Sequence, residues 1–456
     1  MISALFELAV LWGLLQLIRK RTAAALAATF LLFSLISRSV SLVYVDLAGP
    51  IYAEQLGRMV GGKPSMPMFA AYILMIMAVL AFTFRPSVLR RARPPHPGRH
   101  RRIQILGNVL FVFTSVFVVV LYGDMLWRGV VPLFHGIDRL EYNEKIAGPL
   151  HMWLAQMGFL LAGTLGMGFC MPRLLGRDFD LRFLALYISL IAYFAMTGNR
   201  FSIFYSFTSF FVLPVASVPA MTSVGLLPKR PFRYGWRRLL FSKSSLVMAI
   251  VTATLGISII ILNSIINVRG YDEPEQQLLQ RALVQPVELW WATWDDTVNY
   301  SEVSFAEAWY DLFTNPIDPT RNTTMQMLMI KHLAYDRAAE LVDMGQQYAG
   351  GYPEVLLELL GPWLALPVAF IFSLVTATLL RLVVLAVCEG RWLTSFMGLY
   401  VFFGFSLLFI GGMLNFFLVW TFWVKLTVLS VVYAVERSLL NKTPLFTPKA
   451  WAAARP

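Results

Sequence analysis

The chain has 456 residues and is 58% hydrophobic, 14% aromatic and only 14% charged, with a formal net charge of +12. A soluble domain carries roughly 25% charged residues, so this composition excludes one and indicates a polytopic membrane protein. The basic excess does not indicate nucleic acid, because it is gathered into short loops: Arg19-Lys20-Arg21, seven arginines from Arg85 to Arg102, Arg173 and Arg177, and Lys229 to Lys243.

A hydrocarbon core about 30 Å thick needs about 20 apolar residues per helix. Eleven spans fit: 2–18, 22–45, 67–84, 104–123, 149–171, 181–197, 201–223, 244–267, 359–386, 393–411 and 414–435. Barrel strands would alternate polar and apolar residues, and these runs do not. The expected fold class is all-α, a single transmembrane domain over 1–456. Placing the basic loops in the cytoplasm puts the N-terminus and the loops 46–66, 124–148 and 268–358 on the opposite face, with the tail from Arg437 inside. The first apolar run ends in basic residues rather than a cleavage site, so no removable signal is expected. Cys170 and Cys388, the two cysteines, lie near cytoplasmic helix ends, and no disulfide is expected.

Loop 268–358 is the outstanding feature, with fifteen Asp/Glu against five Lys/Arg, the reverse of the basic loops. Glu288–Trp294 and Thr323–Tyr348 read as helical, with Met325, Leu328, Met329, His332 and Leu333 recurring at three and four. Between them, Asn315-Pro316-Ile317-Asp318-Pro319-Thr320-Arg321 reads as a turn presenting Arg321. The expectation is a large, partly folded insert.

Several chemistries lack their residues. The five histidines have no metal-ligand spacing beyond the loop pair His96/His100, which sits among arginines that would repel a cation, and no phosphate-cradling, dinucleotide or serine-nucleophile motif is visible. Arginines do stand at external helix ends: Arg200 in the hairpin Thr197-Gly198-Asn199-Arg200 and Arg269 in Arg269-Gly270-Tyr271, with Arg321 in the insert. A guanidinium fork matches phosphate oxygens, although an arginine at a helix end also snorkels to the interface. Glu354 and Glu358 are four apart and share one helix face. Glu354 follows Pro353 and suits a first turn, whereas Glu358, deeper, is the candidate base or counter-ion. Arg38, about 25 Å along its helix from Arg21, reaches the outer interface and can snorkel there. Lys425 lies nearer mid-membrane, where it either pairs with Glu7 or stabilises the bundle.

The order of these features resembles the Wzy family of O-antigen and enterobacterial-common-antigen polymerases: a short Thr-Gly-Asn-Arg hairpin before an apolar span, a span ending in Arg-Gly-Tyr, a large external loop with a Pro/Arg turn, and a Gly350-Gly351-Tyr352-Pro353-Glu354 approach to a Glu-bearing helix. The likeness covers about residues 180 to 415. It implies a metal-independent, cofactor-free glycosyltransferase of the GT-C type in the bacterial inner membrane. Such an enzyme joins polyprenyl-diphosphate-linked repeat units at the periplasmic face, with a chain-length regulator and a flippase as candidate partners. By position it assigns diphosphate binding to Arg200, Arg269 and Arg281 and catalysis to Glu358, Glu354 and Arg321, with Arg38, Lys425, Tyr271 and His332 as further candidates. A cationic pocket would stabilise the departing diphosphate, a carboxylate would take the acceptor proton, and Trp290, Trp291, Trp294, Tyr300 and Tyr310 could stack on sugar rings. Rival readings are an O-antigen ligase, to which His332 is the pointer, a lipid-linked glycan transporter, and a non-enzymatic assembly subunit.

Overall fold

The computed structural model describes residues 2–90, 92, 95, 100–137, 139–198, 201–227, 277, 279–299, 323–343, 348 and 350–441. The expected span 244–267, together with Arg200, Arg269, Tyr271, Tyr300, Tyr310 and Arg321, lies outside them.

In chain order the main elements are α1 (Ile2–Lys20), α2 (Thr22–Ala27), α3 (Thr29–Ala48), β1 (Ile51–Ala53), β2 (Arg58–Val60), α4 (Met66–Thr83), α5 (His100–Trp127), α6 (Pro149–Leu174), α7 (Leu181–Met196), α8 (Phe201–Val215) and α9 (Ser217–Ser223). They continue as α10 (Glu288–Trp294), α11 (Thr324–His332), α12 (Tyr335–Asp343), α13 (Glu354–Cys388), α14 (Trp392–Gly411), α15 (Asn415–Leu418) and α16 (Trp420–Asn441). Among the described residues eight helices are long and apolar enough to cross a membrane. Of the remaining expected spans, α7 has 16 residues. Helix α16 carries Lys425, Glu436 and Arg437 along its length and lies outside the eight.

Two expected spans are interrupted. The run 22–45 breaks at Ala28, giving a short α2 before α3. Helix α13 begins five residues before the expected 359 and is kinked at Gly361, whose φ of 67° and ψ of 175° are not helical. The following Pro362 accounts for this, since its ring disfavours helical geometry in the preceding residue and it has no N–H to give. Glu354 and Glu358 therefore stand on a short helical segment ahead of the kink.

The chain divides into two compact units. In the unit formed by 92–274 with 388–390, α6 packs along α8, and a Cβ placed on Gly166 would fall 2.0 Å from the Phe211 carbonyl oxygen. Small residues permit that approach between membrane helices.

The other unit comprises 1–91, 275–387 and 391–456. There the Asp46 carboxylate at the end of α3 accepts from Met66 N at 3.0 Å, Ser65 Oγ at 3.2 Å and Ser3 Oγ at 2.6 Å, capping α4 and fastening it to α1 and α3. The loop after α3 is an antiparallel hairpin, Ile51 opposite Val60 and Ala53 opposite Arg58. It is the one sheet among the described residues. The hairpin lies against the acid-rich insert: the Ala334 N–H donates to Gln55 O at 3.0 Å, Arg337 Nε to Gln55 Oε1 at 2.7 Å and Gln280 Nε2 to Tyr52 O at 2.7 Å. The loops 46–66 and 268–358, read from charge as sharing one side, are thus in contact.

Candidate functional site

Where the insert returns to the bundle, Gly350 and Gly351 adopt φ values of 113° and 123°, a region open to glycine. Gly351 is also enclosed, since a Cβ there would lie 2.8 Å from Gly411 C and 2.5 Å from Met325 Cε. Helix α11 is seated on the same spot. Thr323 and Gln326 form a reciprocal capping box at its start, Thr324 N donates to Asn415 Oδ1 at 2.6 Å, and Thr324 Oγ1 donates to the Gly412 carbonyl. These contacts set the start of α13 beside the end of α11.

Arg38 is the first charged group in this junction. It is 5% exposed, so it does not snorkel. Its Nε donates to Pro286 O at 2.9 Å, its Nη1 to Tyr352 O at 2.6 Å, and its Nη2 pairs with Glu354, while the guanidinium carbon sits 5.2 Å from the centroid of Phe69. One side chain from α3 thereby pins the turn ahead of α10 and the entry to α13. The inward course follows from Glu354, which is fully buried and draws the cation off the lipid interface.

One turn along, Glu358 is held differently. Its Oε1 pairs with Lys331 and its Oε2 lies 3.0 Å from His332 Nε2. His332 also meets Thr293 Oγ1 at 3.2 Å from Nε2 and Asp296 Oδ2 at 3.3 Å from Nδ1. Asp296 continues to Arg58 at 3.3 Å, and its neighbour Asp295 holds Lys63 at 2.8 Å. The result is a chain in which a buried imidazole joins a buried carboxylate, Glu358, to a half-buried one, Asp296, with Arg58, Lys63 and Lys331 at its wet edge, 38%, 47% and 40% exposed. Burial works against a charged His332, but the carboxylates of Asp296 and Glu358 outweigh it and hold its pKa above the ordinary value. Partial burial likewise opposes ionisation of Asp296, and His332 with Arg58 overcomes it, leaving that carboxyl below its usual range. With a carboxylate at each nitrogen, the doubly protonated ring fits.

The structure therefore brings together Arg38, Glu354, Glu358 and His332 from the sequence candidates. Of the two glutamates, the one that holds an arginine is Glu354. Arg281 is exposed on the turn before α10, and Lys425 lies over Tyr400, with Nζ 4.3 Å from the ring centroid, rather than against Glu7. Glu7 is itself buried, on α1. The sequence reading passed over Lys331, Arg58, Lys63, Asp295 and Asp296. Two doublets marked three of them: Lys331-His332 closing a helix, where the dipole favours cations, and Asp295-Asp296 closing the tryptophan-rich stretch. Among the described residues no group of three or more His, Cys, Asp and Glu is arranged to hold a metal ion.

The model of a family of unknown function (DUF6418) matches residues 318–424, under a quarter of the chain. The match takes in Lys331, His332, Glu354 and Glu358 but not Arg38, Arg58 or Asp296. No curated protein and no solved structure matches the chain.

Proposed function

We propose that this protein is a glycosyltransferase that joins polyprenyl-diphosphate-linked oligosaccharide repeat units into a surface polysaccharide, working from the outer face of a bacterial inner membrane. The observation that carries the reading is the chain Asp296–His332–Glu358 with half-exposed Arg58, Lys63 and Lys331 along its edge, set where the acid-rich insert meets membrane-spanning helices. Sugar transfer from a lipid diphosphate needs a cationic surface for the departing phosphates and a group that handles the acceptor proton, both close to the lipid head-group level. Lys331, Arg58 and a protonated His332 supply the first, and the buried carboxylates gathered at this junction supply candidates for the second. In this reading Arg38 and Glu354 position the start of α13, and the Wzy resemblance adds Arg200, Arg269 and Arg281 as diphosphate-binding residues and Arg321 as a catalytic one. No metal or nucleotide takes part, because the diphosphate already activates the anomeric carbon.

A buried histidine between two carboxylates also suits an O-antigen ligase, which would pass the finished glycan to lipid A-core. Deleting the gene and sizing the lipid-linked and surface glycan separates the readings. Single repeat units capping lipid A support the polymerase, full-length polymer stranded on the polyprenyl carrier supports the ligase, and units trapped inside support a transporter. Unchanged glycan length and attachment would remove all three.

A further inference from the structure

Among the described residues, the buried acid Glu288, beside the site, has no cation at ion-pair distance. Glu354 is held by Arg38, Glu358 by Lys331 and His332, Asp296 by Arg58 and Asp295 by Lys63. Glu288 opens α10, is 1% exposed, and its Oε1 has no hydrogen-bond partner in the protein. The indole N–H groups of Trp290 and Trp291 and the Tyr72 hydroxyl are equally without a protein partner, and Tyr72 and Trp290 meet edge to face at 6.1 Å. Buried polar atoms left over in this way are rare and call for a reason. A polyhydroxylated ligand would satisfy them, with hydroxyls for the N–H groups and the carboxylate and an apolar face for the rings.

Helix α10 is clamped at both ends by the site. Pro286, two residues before Glu288, accepts from Arg38, and Thr293, five residues after it, contacts His332. Glu354 also leaves one oxygen, Oε2, without a partner, but its other oxygen is held by Arg38, whereas no cation lies at ion-pair distance from either oxygen of Glu288 among the described residues.

Resting on the polymerase reading, we propose that Glu288 is the proton acceptor of the transfer. As the acceptor sugar hydroxyl attacks the anomeric carbon, the new C–O bond forms while the bond from that carbon to the diphosphate breaks. The hydroxyl proton passes to the Glu288 carboxylate, and polyprenyl diphosphate leaves with the bonding electron pair. Burial, followed by the negative charge of Glu54, pushes the Glu288 pKa up to about 8, so the group is a stronger base than an ordinary carboxylate and is ionised increasingly as pH rises through 8. The charged groups on the elements packed against α10 are Arg58 on β2, Asp295 and Asp296 in the following turn, and Lys331 and His332 on α11. All of these are engaged with one another or with Lys63 and Glu358.

The test uses membranes carrying the full-length protein and the lipid-linked repeat unit extracted from the deletion strain, assayed from pH 6 to pH 9. Wild-type elongation should rise toward pH 8. Glu288→Gln should lose roughly a hundredfold, the scale of a missing general base, and what remains should be flat with pH, while Glu288→Asp should retain the pH-dependent limb. Protein level and thermal unfolding of each variant are read alongside. Glu288→Gln within twofold of wild type, or a pH limb that survives in it, overturns this role and leaves the polymerase reading standing. A wild-type protein that joins no units removes both.

Discussion

Replacing Glu288 by Gln should make the folded protein more stable at neutral pH, and by an amount that grows with pH. The ordinary carboxyl value is 4.5, and burial next to Glu54 raises it to about 8 in the folded chain. Between those values the native state holds a proton that the unfolded state has released, so this group's contribution to stability falls as pH rises through the window. Each pH unit in the window costs about 1.4 kcal/mol. At pH 5 the penalty is below about 1 kcal/mol, and at pH 7, about 2.5 units above the ordinary value, it reaches about 3 kcal/mol. Glutamine keeps the shape of the protonated acid and does not titrate. Denaturant unfolding in detergent, followed by intrinsic tryptophan fluorescence, should show the variant close to wild type at pH 5 and about 3 kcal/mol more stable at pH 7. A difference that stays constant from pH 5 to pH 8 would refute the raised pKa and with it the account of Glu288 as an unpaired buried acid.

The other expectations concern the paired groups and the topology. Arg38→Met leaves Glu354 buried without a cation and should cost about 3–5 kcal/mol. The double variant Arg38→Met/Glu354→Leu should recover most of that, and additive losses in the cycle would mean the pair is not coupled. His332→Gln should abolish a component of stability that is fully present below the ordinary histidine pKa and fades as pH rises through the elevated native value. Matching pH profiles for variant and wild type would show that His332 stays neutral. Cys170 and Cys388 are buried, so a single cysteine at Tyr335 or Pro97 can be labelled in intact cells by a membrane-impermeant thiol reagent. Tyr335→Cys, whose site is 74% exposed, should label and Pro97→Cys should not, and equal labelling would overturn the orientation.

The apolar runs, and the helix 288–294 within the insert, were legible because periodicity and length report which faces are apolar. The start of α11 was legible too, since Thr323 with Gln326 three residues on is a local signal. Partners are not local. Arg38 and Glu354 are 316 positions apart, and nothing in the run around Arg38 distinguishes a side chain that turns outward to the interface from one that turns inward to a buried carboxylate. Both are met at the same height on a helix. The break at Ala28 carries no proline or glycine to announce it. The hairpin 51–60 was missed because a search for membrane strands looks for long alternation, whereas this one is three residues a side and lies with the insert.

The matched family segment contains both glutamates and the Lys331-His332 pair, yet the groups that neutralise Glu354 and the far side of His332 come from α3 and from the insert ahead of the match. A buried carboxylate without compensation is costly enough to unfold a marginal protein. The matched segment therefore cannot be a self-sufficient module. In this chain the cation for Glu354 comes from α3, outside the matched segment. Grafting residues 318–424 behind an α3 that lacks the arginine should give a protein that does not accumulate in the membrane, and restoring that single arginine should restore it. Accumulation of the graft without the arginine would mean that the burial of Glu354 does not depend on Arg38.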